Sequence, residues 1–202
     1  MTDVKKYFVF DCETGGIKSD NSLLTLYGMV LDSTFKPVDT IDLKIKPADG
    51  LYKVDPRALV VNNIDLVEHD KHAILESEAA VMFNDFSVRH AFGKKMVPIG
   101  HNVAFDIKFV KKHLLKKSNR RLGHWGAYYS HRVLDTGTIA HFMAMTGHLP
   151  PALSCSLGSL AEYFKLDYSK AHNADFDAKL TLEVLKKLMK LSMTNENSSN
   201  NK

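Results

Sequence analysis

Hydrophobic positions along the chain change period part-way through. From Tyr7 an apolar run stops abruptly at "DCETGG", and two further stretches, "SLLTLYGMVLD" and "VDTIDLKIK", are separated by the turn-forming "STFKP". Short runs of this kind, bounded by turn residues, predict three strands in an antiparallel meander. Beyond them the spacing lengthens. "DPRALVVNNI" predicts a short helix with Pro56 in its first turn, followed by a polar loop, and Ala80, Phe83, Phe86 and His90 keep helical spacing over residues 76 to 92. "MVPIGHN" predicts a short strand running into a helix over "VAFDIKFVKKHLLKK". "HRVLD" is a further strand, "TIAHFMAMTG" and "SLGSLAEYF" are helices flanking the loop "HLPPALSC", and "ADFDAKLTLEVLKKLMKL" is the last helix. Antiparallel strands followed by alternating helices and strands predict an α/β layer fold, a mixed five-stranded sheet flanked by helices.

Composition narrows the class. A chain of 202 residues with 45% hydrophobic content fits one globular domain. That domain is expected over residues 1–191, with 192–202, ending in "TNENSSNNK", too polar to pack. No apolar run reaches the ~18 residues of a membrane span, and the charges in "MTDVKKYFVFDCE" crowd too close to the apolar stretch for a signal peptide. A cytosolic protein that meets no membrane is expected. Cys12 and Cys155 lack disulfide or metal-ligand patterning and read as reduced structural thiols. The net charge of +4 permits a polyanionic partner without requiring one.

The chemistry lies in carboxylates at positions where burial makes them costly. Strand side chains alternate faces, so Asp11 and Glu13 share one face while Cys12 takes the other. In the helix from Val103, Asp106 falls on the apolar stripe of Val103, Phe109, Val110 and Leu114. Asp177 heads another core stripe, Thr181, Val184, Leu188 and Leu191, with Asp175 pointing elsewhere. His172 lies just before that helix, where Asn173 is a candidate N-cap, and can turn back towards the site. Taken singly, an Asp in a helix's first turn, such as Asp106 or Asp177, reads best as a cap or a dipole partner. Four at element ends that an α/β sheet gathers at one edge call for hard divalent cations, magnesium or manganese. His69 and His72 in "HDKH" have no trusted metal spacing and are expected to be exposed.

These residues resemble the DEDDh family of 3′-to-5′ exonucleases, which share the ribonuclease H-like fold and include the proofreading epsilon subunit, RNase T and oligoribonuclease. "DCET" matches the first motif with Asp11, Glu13 and Thr14; "GHNVAFDIKF" is similar to the second with His101, Asn102, Phe105 and Asp106; "HNADFD" matches the third with His172, Ala174 and Asp177. The sister subfamily's tyrosine is replaced by Asn173. "ALVVNNI" resembles the segment bordering the terminal nucleotide, and "VLDTGTIA" a strand end of the family. Gly15 stands where Thr or Ser is common, and Asn63 where Gly is usual.

The resemblance implies a two-metal phosphodiester hydrolase. Asp11 would be shared by both divalent cations, Glu13 and Asp177 would hold the first, Asp106 would reach the second through water, and His172 would be the general base. Thr14, Asn62 and Ile64, together with His101, Asn102 and Phe105, would meet substrate. The implied partner is the 3′ end of single-stranded DNA or RNA, DNA slightly favoured, and the product a nucleoside 5′-monophosphate; a polymerase partner or a homodimer is left open. An RNA-trimming member, or an inactive nucleic-acid-binding one, is the alternative. The inactive member predicts a substituted carboxylate, and a phosphatase needs Asp in place of Glu13; neither pattern is present. Basic residues gather in "KKHLLKKSNRRLGHWG", with Lys111, Lys112, Lys116, Lys117, Arg120 and Arg121, as a solvated face or a phosphate attractor. Trp125, Tyr128 and Tyr129 serve either base stacking or packing.

Overall fold

A computed structural model describes residues 5–116, 123–169 and 172–194. Strands β1 (Tyr7–Thr14), β2 (Leu23–Leu31) and β3 (Pro37–Lys46) form the expected antiparallel meander. Helices α1 (Pro56–Asn62) and α2 (Leu66–His72) lead to a two-residue strand, β4 (Ile74–Leu75), and to α3 (Glu76–His90). β5 (Val97–Gly100), α4 (Val103–His113), a short α5 (Trp125–Tyr128), β6 (Leu134–Asp135), α6 (Thr136–Met145), α7 (Leu157–Tyr163) and α8 (Ala174–Thr194) follow.

The sheet has the order β4-β3-β2-β1-β5-β6, so six strands replace the five expected. The extra strand is β4, which pairs in parallel with Ile45 and Lys46 and is too short to show a period of its own. The polar loop expected after α1 is instead α2, started by Asp65, whose carboxylate accepts the Val67 and Glu68 amides at 2.8 and 3.2 Å. His69, expected on the surface, is buried with Nε2 3.0 Å from the Ile45 carbonyl, which pins α2 to β3; His72 is exposed as expected. α4 ends at His113, short of the predicted length, with Leu114 and Leu115 turning into the core. α8 continues to Thr194, past the expected end of the domain, and residues 195–202 lie outside the described residues.

Central β1 is covered on both faces because its side chains alternate. Phe8, Phe10 and Cys12 meet Phe83 and Phe86 of α3, Phe109 of α4, and Trp125 and Tyr129. Val9, with Tyr27, Met29 and Ile99, meets Ala174, Ala178, Leu182 and Leu185 of α8. The opposite side of α8, through Leu180, Val184 and Leu188, packs on α6 and α7. Each large apolar side chain taken fully from water contributes about 1.5–3 kcal/mol, so the two layers hold β1 rigidly. Gly28 on β2 admits the Phe8 ring, which a Cβ there would strike. Pro98 interrupts β5 without cost: the Val97 amide donates towards β1, to the Lys6 carbonyl, so Pro98's missing donor faces β6, where pairing begins only at Ile99.

Candidate metal centre and nucleotide cleft

The end of β1 carries Asp11 and Glu13 towards the α8 face, where the first turn of α8 presents Asp177. One carboxylate oxygen from each of the three lies within 4.8 Å of the others. Asn173 caps α8 as expected, its side-chain oxygen accepting the Asp175 and Phe176 amides at 3.1 and 3.4 Å. Thr181, Val184 and Leu188 continue the buried face below Asp177. Asp175 turns away to pair with Lys179 at 2.5 Å. Asp106 arrives from the opposite face of the sheet, on α4. It is buried, and its Oδ1 accepts the Cys12 amide at 3.0 Å, so it stands beside the three-carboxylate group instead of within it.

Among the described residues, few contacts oppose the charge that gathers here, chiefly those from Cys12 to Asp106 and from His172 to Asp177. Burial first, then Asp106, Glu13 and Asp177, pushes the Asp11 carboxyl well above the usual range. Glu13 is pushed up to about 8 by burial and by Asp177 and Asp106. Burial raises Asp106 against the opposing hydrogen bonds from Cys12, and raises Asp177 against the His172 amide and imidazole. The His172 N–H donates to Asp177 Oδ2 at 2.9 Å, while Asp177 Oδ1 is buried without a partner. An orphaned buried carboxylate oxygen among all-oxygen donors fits a divalent cation.

A stability dependence follows from these directions. A carboxyl whose folded pKa is raised binds more protons folded than unfolded between its ordinary value and its raised one, so folding weakens as pH climbs through that window. Glu13 and Asp106, each pushed up to about 8, keep the window open to that pH. In chelator the thermal midpoint is expected to fall between about pH 5 and pH 8.5, and a divalent cation, which binds the ionised form, should remove most of the fall. Unfolding scans at several pH values check this; a midpoint that rises over the same interval would mean that the carboxylates have counter-charges.

Two clefts flank Glu13. One, of about 400 Å³, is walled by Thr14, Ile17, Ala58, Val61, Asn62 and Phe105. The other, of about 520 Å³, is lined by Thr25, Asn62, Ile64, His69, His172 and Asn173, among others. A separate cavity of about 480 Å³, between the start of α3 and the end of α4, contains none of the four carboxylates.

The sequence-predicted substrate residues divide between these walls and the scaffold. Phe105 and Thr14 line the first cleft, although the Thr14 hydroxyl donates to the Gly16 carbonyl at 2.8 Å. Ile64 lines the second. Asn62 reaches both, and its amide bonds Thr14 O and the Ile64 N–H, each at 3.2 Å, tying α1 to the end of β1. His101 faces Thr136, Nδ1 to Oγ1 2.9 Å, and Asn102 is the left-handed entry residue of α4 (φ 58°). Asn63 ends α1 at φ 52°, a conformation asparagine tolerates almost as glycine does. At Gly15 a side chain would strike Lys53 and Val54.

Pattern reading missed Ile17, a loop position with no core periodicity, and gave no individual role to Val61 or Asp135 within the quoted "ALVVNNI" and "VLDTGTIA". The Asp135 carboxylate accepts the Val103 amide at 2.7 Å and the Thr138 amide at 2.9 Å, capping α4 and α6 together. The aromatic group is packing: Trp125 and Tyr129 are buried, and the Tyr129 hydroxyl lies 2.8 Å from Ser87 Oγ. Of the basic segment, Lys111 lies over Trp125 and Lys116 pairs with Glu76, while Lys117, Arg120 and Arg121 fall outside the described residues. Among the described residues no helix is long and apolar enough to cross a membrane.

Known proteins carry the same framework. The RNase T family model, described as "Exonuclease", matches residues 8–185. Ribonuclease T of Shewanella denitrificans is 27% identical over 187 residues, covering 87% of this chain and 76% of that protein. A DNA polymerase III PolC-type of Clostridium perfringens is 26% identical over 182 residues, 90% of this chain and 11% of the polymerase. E. coli exonuclease I, solved in complex with a dT13 oligonucleotide, matches with a TM-score of 0.75 at 18% identity, over 96% of this chain and 43% of that one, a likeness of fold. With the family match running from within β1 into α8, past every carboxylate of the cluster, the chain belongs to the RNase T family of DEDDh 3′-to-5′ exonucleases.

Proposed function

We propose that the protein removes nucleotides stepwise from the 3′ ends of single-stranded nucleic acid, releasing nucleoside 5′-monophosphates, with DNA preferred to RNA. One observation carries the reading: three carboxylates share a point at the end of β1, one with an orphaned buried oxygen, beside a cleft sized for a nucleoside. The preference for DNA draws on the dT13-bound relative. Asp11, Glu13 and Asp177, with Asp106 alongside, would hold two divalent cations, magnesium or manganese by the hardness of the donors. Such ions, when bound, polarise the phosphate and ease ionisation of water.

The chain's own groups do the rest. Phe105, Ile17 and Val61 give the terminal nucleoside apolar walls, while Thr14 and Asn62 close its floor. His172 lies on the other side of Glu13, exposed at the mouth of the second cleft, where an imidazole can take a proton from the attacking water and pass it to solvent.

Digestion of matched single-stranded DNA, duplex DNA and RNA, each labelled at the 5′ end, tests the proposal. Single-stranded DNA should shorten fastest, one nucleotide at a time, and chelator should stop the reaction. Cleavage of a circular single strand, or shortening from the 5′ end, rules it out; faster loss of RNA reverses the substrate preference alone.

A further inference from the structure

We propose that Lys108 is a positioning residue for the terminal nucleotide: it straps the loop after β1 to α4 and so fixes the gap between Ile17 and Phe105. The inference rests on the nucleotide cleft of the proposed function. Within that loop the Gly15 amide donates to Ser22 O at 2.8 Å, the Lys18 amide to Asn21 Oδ1 at 2.9 Å, and Asn21 Nδ2 to Lys53 O at 3.2 Å. The Asp55 amide also donates to Gly15 O, at 2.6 Å. All of these join the loop to itself or to the chain entering α1, which is one wall of the cleft. The other wall, Phe105, stands on α4.

Among the described residues, the hydrogen bond that crosses from the loop tip to α4 is Lys108 Nζ to the Ile17 carbonyl, at 3.0 Å. The ammonium is held where it can make that bond, 5.2 Å from the Phe105 ring centroid and 5.1 Å from that of Phe109. Ile17, meanwhile, leaves 81% of its surface in water while lining the cleft. Such a side chain gains most by covering an apolar ligand face, and it can do so only if the loop stays at a fixed distance from Phe105. The geometry therefore assigns Lys108 to spacing the two walls, with no need for contact to a phosphate.

Inhibition of oligonucleotide shortening by dTMP isolates this role, because the mononucleotide occupies the cleft without an upstream strand. Lys108→Met keeps the stem and removes the charge. It should weaken dTMP inhibition and raise the oligonucleotide KM by about three- to tenfold, with kcat within about twofold of wild type and an unchanged salt slope. Lys108→Arg should restore tight inhibition, and Lys187→Met, a charge control on α8, should match wild type. Unchanged dTMP inhibition in Lys108→Met overturns the strap, and a reduced salt slope beside it makes Lys108 a phosphate contact instead. A wild-type protein that fails to shorten 3′ ends would strike the underlying function, whereas one that shortens them while Lys108→Met behaves identically strikes the strap alone.

Discussion

Asp177→Asn is expected to abolish 3′-end shortening and yet leave the metal-free protein as stable as wild type, or more so. The side chain sits among Asp11 and Glu13 with its ligand oxygen within 4.8 Å of theirs, and burial pushes its carboxyl up. Two unit charges about 4 Å apart repel by roughly 4 kcal/mol at an effective dielectric of 20, a cost met in full above about pH 8, where Glu13 is ionised beside Asp177. Against that stands the bond from the His172 amide to Oδ2, at 2.9 Å, which an asparagine oxygen can still accept. The new amide would also place donors where the orphaned Oδ1 now has none. Relief of repulsion therefore outweighs the lost charge in the absence of metal, while loss of a ligand disables the loaded site. Thermal unfolding in chelator, run beside the digestion, decides it. A clearly less stable variant would make Asp177 a structural acceptor.

His172→Ala should bind divalent cations about as well as wild type and lose roughly 10²- to 10⁴-fold in single-turnover rate, the usual contribution of a positioned base. The motivation is geometric. His172 touches the carboxylate group through its backbone amide, while the ligand atoms that cluster come from Asp11, Glu13 and Asp177. Its backbone is left-handed, at φ 64°, a conformation that histidine and asparagine adopt more readily than alanine. His172→Asn is therefore the companion variant, keeping the loop while removing the imidazole. Calorimetric metal titration with single-turnover assays of both variants distinguishes the outcomes. Lost affinity in both makes His172 a ligand, and an undiminished rate removes it from the chemistry.

The carboxylates were legible because each broke a period. Asp11 and Glu13 end an apolar run, and Asp106 and Asp177 fall on helical stripes whose other members are buried, Leu191 only partly. A period, however, says nothing about how two faces of a sheet meet. The alternation of β1 separates Cys12 from Asp11 and Glu13, but only the fold shows Asp106 held to the Cys12 amide from the far side. α2 escaped notice because Val67, 74% exposed, breaks any core stripe, although Asp65 followed by Glu68 marks its start. His69 was misjudged for a related reason: its polar neighbours conceal a long-range bond to Ile45. Ile17 and Lys108 act from a loop and an outward helix face, where patterning carries no signal.

Asp135 sets a rule for how chain length can vary in this enzyme. Because one carboxylate accepts an amide in the first turn of both α4 and α6, the point where Asp106 and Phe105 enter the site is anchored from β6, at the opposite end of α4 from His113. Closing a longer loop between fixed ends costs only about 0.6 kcal/mol per doubling of its length. Chain length added beyond the far end of α4 would thus leave the four carboxylates in place, whether it is added by evolution or by design.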